Sequence, residues 1–296
     1  MKFMTFLHQE LESIGVLTND GRQVIDLTAA SKGSFPKSLL DCIRNDSLIG
    51  KVEALLEGEV EDYTYDVDKI TLLAPIPRPQ KNILCIGKNY AEHAIEMGSE
   101  ADIPDDPIVF TKPPTSVIGT DAMINLHENV TSELDYEGEL AVVIGKKGIG
   151  ITREDADNYI FGYTIINDIT ARDLQKKHKQ FFIGKSLDTT CPMGPVIVHK
   201  SAIENPHNLH IETKVNGEVR QSSNTENMIF DIPTLIEILS KGMTLEPGDL
   251  IATGTPAGVG KGFTPPKFLQ HDDEIQISIE GIGTLRNKVM SMGKEK

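Results

Sequence analysis

Two glutamates separated by a single residue are the clearest chemical feature of the sequence. Glu137 and Glu139 flank Gly138 ahead of an apolar run that ends at 144. If 134–144 form a strand, both carboxylates lie on one face, about 6.5–7 Å apart. Like charges held this close repel unless a proton or cation lies between them. The hard cations Mg²⁺ and Mn²⁺ prefer such oxygen ligands, although a solvent-facing edge strand explains the spacing equally well.

Asp168 is a third candidate carboxylate. It ends the apolar run 163–168 and precedes a segment, 171–177, whose composition predicts a helix. Taken alone, Asp168 is more typical of a helix N-cap. The end of a buried strand is nevertheless a place where active sites are often assembled.

His93 and Glu96 lie three residues apart in a predicted helix over 89–97, so they share a helical face. A carboxylate beside a histidine fixes its tautomer and raises its basicity, as a general base requires. The spacing alone favours an exposed surface pair.

Lys185 follows the apolar run 180–184, where it could steer a substrate carboxylate, pair with the candidate ligands or begin a loop. Gly254 and Thr255 open a turn of small residues whose N–H groups could hold a carboxylate, although a plain turn fits as well.

The elements that must position these groups form two parts. The segment 73–79 carries three alternating prolines and predicts a stiff linker. We therefore expect a small N-terminal domain over 1–75 and a main domain over 76–296. The main domain is predicted to be strand-rich with a few helices, and the absence of a GxGxxG turn argues against a dinucleotide-binding fold.

The composition of the chain disfavours some classes of binding partner. Asp and Glu total 44 against 29 Lys and Arg, for a formal charge of −15, which disfavours binding to nucleic acid or anionic membranes. No apolar run approaches the length of a membrane-spanning helix, and no signal-peptide pattern is visible. The three cysteines are widely spaced, which predicts a cytoplasmic protein and argues against a thiolate metal site.

Seven motifs in order resemble the fumarylacetoacetate hydrolase family, over about 81–289. They are GKNYAEH at 87–93, LDYEGE at 134–139, NDITARDLQ at 167–175, GKSLD at 184–188, VNGE at 215–218, NTENMIF at 224–230 and GDLIATGTP at 248–256. The resemblance implies an α+β, strand-rich fold, a mixed β-sandwich roll with a small N-terminal α/β domain, usually in a homodimer.

The resemblance also implies roles for the site residues. It implies that Glu137, Glu139 and Asp168 bind Mg²⁺ or Mn²⁺, and that His93 and Glu96 lie on a lid helix over the substrate. It assigns catalysis to that pair with Lys185. It implies that the residues around the ligand are Arg172, Gln175, Lys185, Gly254 and Thr255.

The resemblance further implies small α-keto or β-diketo acid substrates, whose carboxylate and 2-oxo oxygens can chelate the metal while it stabilises the negative charge of an enolate. We therefore predict an acylpyruvate-type C–C hydrolase in which His93 and Glu96 activate water. The alternatives are an oxaloacetate decarboxylase, a 2-hydroxyhepta-2,4-diene-1,7-dioate isomerase and, outside enzymes, a regulatory protein that binds metal and dicarboxylate.

Overall fold

The computed structural model describes residues 1–45 and 48–291. The strands within these residues are β1 (Lys2–His8), β2 (Leu11–Leu17), β3 (Gln23–Asp26), β4 (Thr64–Asp66), β5 (Thr71–Leu72), β6 (Ile83–Gly87), β7 (Ile108–Lys112), β8 (Val117–Ile118), β9 (Met123–Asn125), β10 (Leu134–Asp135), β11 (Gly138–Ile144), β12 (Ile160–Asn167), β13 (Thr170–Ala171), β14 (Cys191–His199), β15 (His210–Val215), β16 (Glu218–Asn224), β17 (Leu250–Ala252), β18 (Glu274–Ile279) and β19 (Gly283–Met290). The α-helices are α1 (Leu27–Ala30), α2 (Leu39–Ile43), α3 (Leu48–Leu56), α4 (Ala91–Glu96), α5 (Arg172–His178), α6 (Phe182–Lys185) and α7 (Ile232–Ser240).

Two mixed sheets dominate the architecture, which confirms the predicted strand-rich α+β class. The larger sheet has the order β4-β3-β2-β1-β14-β12-β11-β17-β6-β7, with β5 on β1 and β8 on β14. The smaller has the order β16-β15-β18-β19-β9, and β10 pairs separately with β13. Strand β11 lies at the centre of the larger sheet, between β12 and β17.

Every residue of β11 is buried, because both faces of the strand are covered. Leu140 and Val142 belong to an apolar cluster that also contains Ile211 and Ile277 of the smaller sheet. The alternate residue Ala141 belongs to a second cluster, which includes Leu39 of α2. A strand covered on both faces reads as a continuous apolar run instead of an alternating one. The N-terminal helices therefore help to exclude water from the strand that carries the glutamates.

The N-terminal segment is joined closely to the rest of the chain. Strand β1 pairs with β14, so the larger sheet includes both. The predicted linker is packed, since Ala74 and Ile76 are buried and the Thr5 hydroxyl donates to the Pro75 carbonyl at 2.7 Å. The domain boundary at 75 stays a prediction.

Helix α7 begins after Asp231, which caps it by accepting from Thr234 N at 3.0 Å, and Pro233 occupies the first turn. The three cysteines are buried and unpaired. Over the described ranges, the helices are too short or too polar to cross a bilayer.

Gly162 of β12 sits where a side chain has no room. A Cβ at this position would lie 2.1 Å from the Val198 carbonyl oxygen. We expect Gly162→Ala to lower the free energy of unfolding by about 2 kcal/mol, because the paired backbones must separate. Gly50→Ala in α3 meets no atom within 4 Å and should raise stability by about 0.5–1 kcal/mol. Urea unfolding followed by circular dichroism checks both, and unchanged stability of Gly162→Ala would contradict the packing.

Candidate active site

A break between two strands positions the first carboxylate. The sequence predicts one strand over 134–145, and this is wrong, because the chain leaves strand geometry between β10 and β11 and Glu137 lies in the gap. Glu137 N donates to Asn167 Oδ1 at 3.0 Å, and Asp168 N donates to the Glu137 carbonyl at 2.8 Å. These two bonds tie the break to the end of β12, so Glu137 and Asp168 are brought together by the backbone.

The three predicted carboxylates form one buried cluster. Glu137, Glu139 and Asp168 each offer an oxygen, and these atoms lie within 4.8 Å of one another. Their exposed fractions are 4%, 1% and 0%, so the explanation of the glutamates as solvent-facing edge residues is wrong. Asp168 is not a helix cap either, because α5 has Ala171 at its N-cap with no capping side chain.

Buried cations surround two of the three carboxylates. Lys185 Nζ lies 2.8 Å from Glu137 Oε2 and 2.6 Å from Asp168 Oδ2. Arg172 Nη2 lies 2.7 Å from Glu137 Oε1. Lys112 Nζ lies 3.0 Å from Asp168 Oδ1, an ion pair without hydrogen-bond geometry. Lys185 therefore pairs with the candidate metal ligands, one of the roles that its position left open.

Glu139 differs from the other two carboxylates. Its Oε2 accepts from Gly254 N at 2.9 Å, and no described cationic side chain forms an ion pair with it. Burial, with Asp168 and Glu137 nearby, raises the pKa of Glu139 well above its ordinary value. Burial also opposes ionisation of Glu137, but Lys185 and Arg172 outweigh it and hold the pKa of that carboxyl below its usual range. Three clustered oxygen donors, one without a cation, fit a hard divalent ion.

The cluster opens into a cavity of about 350 Å³. Most of the predicted site residues line it, namely His93, Glu137, Glu139, Arg172, Gln175, Lys185 and Thr255. The other three lie behind this lining. Glu96 contacts His93, Asp168 is fully buried, and Gly254 contacts Glu139 through its N–H.

The histidine and its carboxylate are paired and largely buried. His93 Nδ1 lies 3.2 Å from Glu96 Oε2, and His93 is only 5% exposed, so the surface-pair explanation is wrong. Glu96 Oε1 accepts from Gly258 N at 2.9 Å. Because Nδ1 is occupied, Nε2 is the ring nitrogen left for a ligand in the cavity. This arrangement is suited to moving a proton.

The Thr255 hydroxyl is occupied by the protein. It donates to the Gly138 carbonyl at 2.9 Å and accepts from Gln221 Nε2 at 2.7 Å. A hydroxyl has a single proton to donate, so Thr255 cannot donate to a ligand without releasing Gly138. Its clearest contribution is therefore to fasten the turn at 254–256 to β11.

Sequence reasoning missed three buried polar residues that hold the site together. Lys112 donates to the carbonyls of Ile169 and Lys185 at 2.9 and 2.5 Å. Gln221 accepts from Gly138 N at 3.0 Å, and Asp135 accepts from Arg172 Nε at 2.8 Å. Asp135 lies inside the LDYEGE motif, so its position next to Glu137 was a usable signal. Lys112 and Gln221 lie outside the seven family motifs and carry no such signal.

The raised pKa of Glu139 predicts that, in metal-free protein, this residue lowers the free energy of unfolding as pH rises. A carboxyl whose folded pKa exceeds its unfolded value of about 4.5 costs stability as pH rises above that value. Glu139→Gln cannot ionise and should still accept from Gly254 N. We expect the variant to be more stable than wild type near neutral pH and the difference to shrink as pH falls towards 4.5. Urea unfolding with a chelator across this range tests the sign, and a difference independent of pH would contradict it.

Known proteins resemble this chain along most of its length. A family model described as fumarylacetoacetate (FAA) hydrolase C-terminal matches residues 82–290. The chain is 58% identical to the oxaloacetate tautomerase YisK of Bacillus subtilis over 301 positions, which cover 98% of this chain and 100% of that protein.

Two solved structures share the fold along nearly the whole chain. The fumarylacetoacetate hydrolase from psychrophilic Exiguobacterium antarcticum has a TM-score of 0.84 at 44% identity. The maleylpyruvate hydrolase from Sphingobium sp. SYK-6, solved in complex with manganese(II) and pyruvate, has a TM-score of 0.81 at 30% identity. Each comparison covers 99% of this chain and 100% of the other. The chain therefore belongs to the fumarylacetoacetate hydrolase family of enzymes.

Proposed function

We propose that the protein interconverts the keto and enol forms of oxaloacetate, a small 2-oxo dicarboxylic acid. The observation that carries the proposal is the buried His93, paired with Glu96, which lines the same cavity as two carboxylates of the cluster and two buried cations. Tautomerisation needs one proton moved between carbon and oxygen, with no attacking water. The 58% identity to a protein named for this reaction supports the choice.

The proposed site holds one divalent cation, Mg²⁺ or Mn²⁺, on Glu137, Glu139 and Asp168. Three buried carboxylates within 4.8 Å of one another supply the oxygen donors that such ions prefer. The manganese(II) in the related maleylpyruvate hydrolase supports a metal of this kind. When bound, the ion supplies a positive charge that polarises the 2-oxo group of the substrate.

The remaining work falls to the side chains. His93 Nε2 takes a proton from C3 of the keto acid, and Glu96 compensates the charge that develops on the ring. Burial lowers the pKa of Lys185, but Asp168 and Glu137 outweigh this effect and raise it. Lys185 therefore stays charged at neutral pH and stabilises negative charge electrostatically. Return of the proton from His93 to the 2-oxo oxygen completes the enol, and the composition of the acid is unchanged.

Acylpyruvate hydrolysis, the activity expected from the sequence, is the second candidate. The related maleylpyruvate hydrolase favours it. In that reaction His93 would remove a proton from water, which attacks the distal carbonyl. The C–C bond then breaks to release a carboxylic acid and pyruvate. Decarboxylation of oxaloacetate would break the C3–C4 bond instead, and it needs no attacking water.

The cellular compartment and the oligomeric state of the protein stay predictions. Three buried, unpaired cysteines support a reducing compartment such as the cytoplasm. The homodimer expected from the resemblance is retained as a proposal.

A substrate panel with Mn²⁺ separates these activities, and His93→Asn tests the base. Loss of enol absorbance reports tautomerisation, whereas pyruvate release from oxaloacetate or from acetylpyruvate reports decarboxylation or hydrolysis. We expect tautomerisation to exceed the buffer rate and to dominate, and His93→Asn to lower kcat by about 10²–10⁴-fold. His210→Asn, on the exposed end of β15, is the control. If the tautomerisation rate equals the buffer rate, or His93→Asn retains full activity, the proposed function fails.

Metal binding is tested on Glu139, which has no ion pair among the described residues. Loss of an outer partner of a metal ligand costs about 10–100-fold in affinity, so we expect Glu139→Ala to lose more than about 100-fold for Mn²⁺. Activity should fall with it. The exposed Glu154→Ala should bind Mn²⁺ as wild type does. Titration calorimetry measures both, and wild-type affinity in Glu139→Ala would remove the assignment.

A further inference from the structure

Three lysines line the active-site cavity without any carboxylate partner. Lys176, Lys179 and Lys261 form no ion pair within 4.0 Å among the described residues, although the chain carries a formal charge of −15. In contrast, Lys88 and Lys185 of the same cavity are paired with Asp102 and with the carboxylate cluster. Positive charge left unpaired in an acidic protein is suited to binding an anionic ligand.

Two of these lysines mark the outer side of the cavity. Lys176 and Lys261 line both the active-site cavity and an adjoining surface groove of about 580 Å³. The carboxylate cluster contributes to the cavity but not to the groove. Lys176 and Lys261 therefore lie where the cavity and the groove meet, whereas the carboxylate cluster does not extend to the groove.

One buried carboxylate, that of Asp135, bonds to both the Arg172 side chain and the backbone of Lys261. Asp135 Oδ2 accepts from Arg172 Nε at 2.8 Å and from Lys261 N at 3.1 Å, while Oδ1 accepts from Gly260 N at 2.6 Å. A Cβ on Gly260 would lie 2.6 Å from Asp135 Oδ1 and 2.4 Å from the Lys267 carbonyl oxygen. Only glycine permits this approach, so the loop that carries Lys261 is fixed to the site.

The nearby acidic groups do not neutralise the positive charge of Lys261 and Lys176. Burial and the neighbouring Arg172 lower the pKa of Lys261, which is the behaviour of a cation with too little compensating negative charge. Asp173 lines the groove, but its carboxylate accepts from the Thr131 hydroxyl at 2.6 Å and from Ser132 N at 3.2 Å. Glu133 also lines the groove. Its charge acts to raise the pKa of Lys261 but does not reverse the lowering.

We propose that Lys261 and Lys176 form a subsite for the second carboxylate of a dicarboxylic 2-oxo acid, beside Arg172. The subsite rests on the proposed function for the orientation of the ligand, and it assigns substrate selection to residues outside the carboxylate cluster. It predicts a preference for substrates with a charged far end over those with an apolar one.

The test uses two stable ligands that differ only at the far end. Oxalylglycine ends in a carboxylate, and N-ethyloxamate carries a methyl group in its place. We expect wild-type protein with Mn²⁺ to bind oxalylglycine at least about tenfold more tightly by calorimetry, since a hydrogen bond to a charged group contributes about that much. The double variant Lys261→Gln, Lys176→Gln should lose this preference and keep its affinity for N-ethyloxamate.

Lys177→Gln is the matched control, because Lys177 neighbours Lys176 and lines the groove but not the cavity. It should keep the wild-type preference. Equal binding of the two ligands by wild type, binding of neither, or a preserved preference in the double variant would each overturn the subsite. The binding readout is independent of turnover. A preference that disappears in the double variant supports the subsite even if oxaloacetate is not tautomerised, in which case only the proposed function fails.

Discussion

Unequal pairing of buried charges is the constraint on which the rest of the site depends. Four buried carboxylates face three buried cations, and the members are Asp135, Glu137, Glu139, Asp168, Lys112, Arg172 and Lys185. Burial of charge is costly unless each ion has a partner. The unmatched negative charge falls on Glu139, so the fold maintains one carboxylate that requires a proton or a cation.

The layers of the fold maintain the low-polarity surroundings that give the imbalance its effect. Strand β11 is covered on one face by the smaller sheet and on the other by a cluster that includes the N-terminal helices. In water, the repulsion within the carboxylate cluster would be screened. Inside these layers, burial together with repulsion from Asp168 and Glu137 raises the pKa of Glu139 and favours a divalent ion. The N-terminal segment thus shields the strand that carries Glu139 without contributing a residue to the cavity.

One loop contacts three separate parts of the candidate site. Between 254 and 262, Gly254 N contacts Glu139, Gly258 N contacts Glu96, and Gly260 N and Lys261 N contact Asp135. Backbone N–H groups of a single segment therefore hold a carboxylate of the cluster, the partner of His93 and the partner of Arg172. Since Gly258 and Gly260 have no room for a Cβ, small residues there reflect close approach of backbones and not a flexible turn.

The sequence by itself determined the candidate chemistry and the family. The Glu-Gly-Glu spacing and the order of seven motifs pointed to the candidate metal ligands, to His93 with Glu96 as a candidate base, and to a strand-rich α+β fold. Only the tertiary structure decided between the open explanations. Burial of Glu137 and Glu139 depends on layers supplied by distant segments, and periodicity reports a face but not what covers it. Likewise, Lys112 pairs with Asp168, which lies 56 positions later in the chain, and no local pattern records which distant charges meet.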